Sequence, residues 1–187
     1  MAKIKGIEIK SLKKFKGREW DENYQGNIYL NGKKIGFWSQ DSHGGCDIFD
    51  FDDKESREKF IKVVKDYYDS NPYKIYYNMT LEEFMAGKEP ELQHYDDMYE
   101  PHDMFMSELL NLTLDEKLFK TKIKKGYATI VMFNYYHLKG PVPVSSSIFY
   151  PSRYTKEMIK TDIEEERKKH PQLKEKVYTD LSDFIVE

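Results

Sequence analysis

Asn31-Gly32 is the strongest short-range hairpin signal in this chain. A type I′ turn needs positive φ at both central residues, which asparagine and glycine tolerate at little cost, and the runs on either side, Gly26 to Leu30 and Lys33 to Ser39, are rich in β-formers. The pair predicts a tight hairpin, and the hairpin fixes the register of its strands. Gln40 to Gly45 is a second turn, leading to a third strand over Cys46 to Phe51. Upstream, Lys3 to Phe15 sets Ile4, Ile7, Ile9 and Leu12 among lysines, the pattern of a strand with one solvated face, and Gly17 to Gln25 reads as a polar connection.

Downstream of the meander the spacing changes to that of helices. Asp52 and Glu55 have capping-box spacing, and Phe60, Ile61, Val63, Val64, Tyr67 and Tyr68 form an apolar stripe that predicts a helix lying on the sheet. Asn71-Pro72 stops it. Tyr73 to Asn78 reads as a short strand or linker, Thr80 with Glu83 as the cap of a short helix, and Lys88 to Asp103 as an irregular loop. Helices are predicted over Met104 to Leu112 and, after a Thr113/Glu116 cap, over Leu114 to Lys125. Tyr127 to Leu138 is apolar on both alternating faces, as a central strand is. A short strand at Ile148 to Tyr150, a helix over Thr155 to Lys169 burying Met158, Ile159 and Ile163, and a last strand or extended tail over Val177 to Val186 with one helical turn at Leu181 to Phe184 complete the chain.

These elements predict an α+β fold: an N-terminal antiparallel meander covered by a helix, a helical acidic middle, and a C-terminal strand-helix-strand unit. The expected division is residues 1–72 and 73–187, or one continuous domain, which the length also allows. With 15 Tyr, 11 Phe and 2 Trp the core can be aromatic, which argues against disorder. The single cysteine, Cys46, excludes an internal disulfide, and no apolar run long enough for a membrane helix or a secretory leader is present. A cytoplasmic protein without membrane partners is expected.

Net charge is only −3, but residues 82–116 hold one basic residue, Lys88, against eleven acids. Within that block Glu89, Glu91, Asp96, Asp97, Glu100 and Asp103 are interleaved with Tyr95 and Tyr99. Closely spaced carboxylates on a folded scaffold can imitate nucleic-acid phosphates and compete for a basic groove, while tyrosines supply contact area. Those eight residues are the expected partner-binding set. The same block includes His94 and His102, so a small metal-dependent hydrolase is a second reading, although none of the recurring metal-ligand spacings occurs. A third is a protein that sequesters a nucleotide in an aromatic pocket, which the sequence does not locate. His43-Gly44-Gly45-Cys46 lacks an orienting third group for nucleophilic catalysis. Lys10, Lys13, Lys14, Lys16 and Arg18 beside Phe15 and Trp20 suggest direct nucleic-acid contact, which the overall acidity and missing motifs disfavour. No catalytic residue, resident metal or cofactor is expected.

IKGIEIKSLKKFKG, then GNIYLNGKKIGFWSQD with Gly44-Gly45 and an acidic-start helix, and the C-terminal KKHPQLKEKVYTDLSDFIVE together resemble small accessory proteins of phages and mobile elements, including anti-CRISPR inhibitors. The likeness covers about half the chain in two pieces. It implies a non-catalytic inhibitor in a bacterial host cell that binds a CRISPR effector nuclease, or another basic-grooved defence protein, and blocks its engagement with DNA. Anti-CRISPR proteins share no common motif, so no functional residue carries over.

Overall fold

The computed structural model describes residues 1–17, 22–75, 83, 86, 88–136, 143–170 and 174–187. The fold is α+β, with three helices and a mostly antiparallel six-stranded sheet among the described residues. The Asn31-Gly32 hairpin forms as expected: β3 (Glu22–Leu30) and β4 (Lys33–Ser39) pair up to Leu30 opposite Lys33, with φ of 49° and 84° at the turn. β5 (Ile48–Phe51) pairs antiparallel with β4.

Upstream, the expected single strand over Lys3 to Phe15 is two. β1 (Lys3–Ile4) folds back on β2 (Ile7–Lys16) through a second positive-φ pair, Lys5 at 48° and Gly6 at 81°. Asn31 N–H donates to Gly6 O, so the two turns brace one another. The polar connection is also shorter than expected, because β3 begins at Glu22 and Lys16 lies opposite it.

The chain divides into two compact units. The first comprises Met1–Tyr73, Gln93–Glu116 and Phe184–Glu187; the second comprises Lys74–Leu92 and Lys117–Asp183. The first crossing falls between Tyr73 and Lys74, and the chain then returns twice to the first unit.

In the first unit, α1 (Lys54–Ser70) lays Phe60, Val64 and Tyr68 into a core with Ile7, Ile9, Ile28, Ile35 and Trp38. Burying side chains of this size contributes about 1.5–3 kcal/mol each before entropy is charged. Its cap is Asp53, whose side chain accepts from Ser56 N–H at 2.6 Å; Asp52 instead pairs with Lys34 at 3.2 Å. The two helices expected around Thr113 are one, α2 (Pro101–Ile123). Thr113 is buried in mid-helix and donates to Leu109 O at 2.7 Å, which satisfies the hydroxyl without a cap. Glu116 is 2% exposed and accepts from Ala2 N–H at 3.0 Å. The chain's last strand, β11 (Ile185–Val186), adds to β1 in parallel, giving the order β11-β1-β2-β3-β4-β5.

β6 (Tyr73–Ile75) and β7 (Glu91–Gln93) form a two-stranded ladder. The expected irregular loop over Lys88 to Asp103 thus contains β7, a 3-10 turn at Tyr95–Asp97 and the start of α2. The short helix expected after Thr80 lies mostly outside the described residues.

In the second unit, β8 (Tyr127–Tyr136) is central as expected, flanked by β9 (Pro143–Pro151) and β10 (Lys174–Tyr178). α3 (Lys156–Lys169), capped by Thr155, packs Ile159 and Ile163 against Val131, Phe133 and Tyr150. Met158 does not join them and is 47% exposed, one residue off the buried stripe.

Candidate functional site

The first unit gathers Tyr95, Asp96, Asp97, Tyr99, Glu100 and Asp103 on the 3-10 turn and the start of α2. Glu89 and Glu91 belong to the second unit, where both are exposed. The eight residues singled out from sequence are therefore held by two separate bodies.

The segment in the first unit is pinned from behind. Met98 is buried, and the Tyr95 hydroxyl shares a 2.9 Å hydrogen bond with His102 Nε2. Lys65 on α1 pairs with Asp96 at 2.6 Å while its ammonium sits 5.1 Å from the Tyr95 ring centre. Asp97 is exposed and accepts from His94 N–H at 3.3 Å. Tyr99 has no such attachment and is 92% exposed.

The next two acids meet the loop between β4 and β5. Cys46 Sγ donates to Glu100 at 2.9 Å, and Asp47 N–H donates to Asp103 at 2.8 Å. Glu100 O also accepts from Met104 N–H, so this carboxylate stands at the positive end of α2, where negative charge is stabilised. Asp47 accepts from the Trp38 indole at 2.6 Å. Burial pushes the Asp47 carboxyl up to about 6, the Trp38 hydrogen bond opposing and the charges of Asp103, Glu100 and Asp41 adding.

These contacts bear on the chemistry proposed from sequence. The Glu100 hydrogen bond and charge raise the Cys46 thiol above its ordinary range, the reverse of an activated nucleophile. His43 instead contacts Ser42 Oγ at 3.1 Å and Asp41 at 3.5 Å. Among the described residues, Cys46, Glu100 and Asp103 are the one trio whose donor atoms all lie within 4.8 Å of each other, and neither His94 nor His102 is in it. His94 is exposed, whereas His102 is half-buried against Phe49 and Phe60. Burial lowers the His102 pKa, Arg57 adding and Asp103 opposing. Of the proposed nucleic-acid contacts, Arg18 and Trp20 lie outside the described residues, and Lys14 is paired with Glu22.

Sequence reasoning missed the inward use of the acidic block. Besides Glu100 and Asp103, Glu108 accepts from the hydroxyls of Tyr67 at 2.8 Å and Tyr68 at 3.1 Å, and Glu116 holds Ala2. Burial, with Glu108 adding, raises both tyrosine hydroxyls well above their ordinary range and keeps them donors. The helical spacing of Glu108 and Glu116 from buried Phe105, Leu109, Leu112 and Thr113 was the available signal.

The chain matches no protein-family model, and no curated protein or solved structure matches it.

Proposed function

We propose that the protein is a non-catalytic binding protein whose surface around Tyr95 to Asp103 docks on a basic partner. In this reading it is an anti-CRISPR-like inhibitor, and the partner is a CRISPR effector nuclease or another basic-grooved defence protein that is kept from DNA. The observation that carries the proposal is Tyr99, 92% exposed on a segment whose flanks are fixed by buried Met98 and by the Tyr95–His102 hydrogen bond. An aromatic ring already held on an ordered support loses little freedom on binding, and tyrosine is among the residues that anchor interfaces. Exposed Asp97 beside it supplies charge that steers a basic surface inward, whereas Asp96 is paired with Lys65.

The test is capture of a type II CRISPR nuclease with its guide by immobilised protein, wild type beside an Asp97→Lys/Tyr99→Ala variant. Both positions are exposed, and the one contact given up is the 3.3 Å hydrogen bond from His94 N–H to Asp97 on the 3-10 turn. Loss of one interface anchor and one steering charge is expected to weaken binding about a hundredfold. Equal capture of both forms would refute this surface, and no capture of either would refute this partner.

A further inference from the structure

In the first unit, β5, the first two turns of α1 and His102 line an open cleft of about 600 Å³. This lies within the size range of small-molecule sites. Phe49 and Phe51 point to the same side of β5, half-buried, their rings nearly parallel at 9° with centres 6.0 Å apart. Phe60 closes the floor, 5.6 Å from Phe49 and 5.3 Å from Phe51, and His102 stands 5.6 Å from Phe60. The floor is therefore aromatic on every side.

The rim carries two cations and one carboxylate. Lys54 and Arg57 line it with Asp53 and Ile61. Asp53 is committed to capping Ser56, and Lys54 is 3.5 Å from Glu58. Lys59 on the same helix is likewise paired, with Glu55 at 2.6 Å. Among the described residues the exposed Arg57 guanidinium has no carboxylate partner, although acids crowd the helix around it. An unpaired guanidinium at the mouth of an aromatic cleft matches a planar ring that carries an anionic group, because arginine binds phosphate through a rigid fork of donors.

We propose that this cleft binds a nucleobase bearing a phosphate, with the base on Phe49 and Phe51 and the phosphate on Arg57. The ring spacing sets how the base sits. A base inserted between the two phenylalanines needs two contacts of about 3.5 Å, or about 7 Å in all, which exceeds the separation present. The base accordingly stacks against one ring rather than between the two, as bases stack on aromatic platforms. The cleft shares His102 with the Tyr95 to Asp103 segment, but Arg57, Phe49 and Phe51 lie outside that segment, so variants at these three test this inference apart from the docking proposal.

The phosphate-bearing base can come from a free nucleotide or from a single strand, and calorimetric titration of the full-length protein separates the two. The ligands are AMP, adenosine, inorganic phosphate and a short oligoadenylate. AMP is expected to bind about tenfold more tightly than adenosine or phosphate, since each of those keeps one half of the recognition. Arg57→Ala, at an exposed position, is expected to remove that advantage over adenosine without changing adenosine binding. Phe51→Leu is expected to weaken AMP and adenosine together. An oligoadenylate that outcompetes AMP at equal site concentration assigns the site to a strand, and equal affinity assigns it to the mononucleotide. Absence of AMP binding at millimolar concentration, AMP no tighter than phosphate, or an Arg57→Ala protein that binds AMP normally would overturn the proposal.

Discussion

Asp47 holds its carboxylate between the buried indole of Trp38 and the acids of the α2 start, and its ionisation opposes folding. Its folded pKa is raised from 3.8 to about 6, so within that window the folded protein binds more protons than the unfolded chain. Stability therefore falls as pH rises through the window and levels off above it. Because the site is only about half-buried, solvent screening limits the effect to about 1 kcal/mol. Asp47→Asn keeps an acceptor for Trp38 and removes the charge. It is expected to be more stable than wild type near pH 7.5 by about 1 kcal/mol, the gain vanishing near pH 4. Urea unfolding at the two pH values checks it, and an equal difference at both would mean that charge is not the cause. The sequence marks Asp47 only as part of a strand after a glycine turn. Its environment comes from Asp103, 56 residues away, and no local pattern encodes that distance. The same holds for Glu108 and Glu116, which counted toward an acidic surface and are spent on tyrosine hydroxyls and a backbone N–H.

Elements set by local chemistry were legible. Asn31-Gly32 fixed β3 and β4, Thr155 fixed the start of α3, and the apolar stripe of α1 found the sheet. Elements whose local signals compete were not. Lys5-Gly6 turns the chain even though lysine has no special tolerance for positive φ, because Asn31 closes the turn from outside. Thr113 has cap spacing but stays helical by donating to Leu109 O, so α2 runs through the expected break. The hairpin permits a clean test of the backbone argument. A Cβ on Gly32 would meet nothing within 4 Å, yet its φ is 84°. Gly32→Ala is therefore expected to cost about 1 kcal/mol through conformation alone. Chemical denaturation measures it; an unchanged midpoint would show that the turn relaxes to another type.

At the scale of the whole molecule, each unit has a core of its own, but sequence order does not follow that division. β10 and the turn at Leu181–Phe184 are almost continuous, yet Tyr178 belongs to the second unit while Phe184 is fully buried and belongs to the first. The two residues after Phe184 pair with Lys3 and Ile4, and Lys5 N–H donates to Val186 O at 2.7 Å. A contact between the beginning and the end of the sequence is decided by which sheet edge is open, and periodicity carries no information on that. The arrangement makes a directional prediction. Phe184→Ala leaves a cavity expected to cost about 3–5 kcal/mol. If the units open as separate cooperative bodies, the loss appears as faster amide exchange in β1, β2 and β3, far away in sequence, while β8 and β10 keep their protection. Hydrogen exchange read by mass spectrometry on the full chain distinguishes the cases. Faster exchange in β8 and β10 with β1 to β3 unchanged would assign Phe184 to the other core, and uniform acceleration would mean that both cores unfold together.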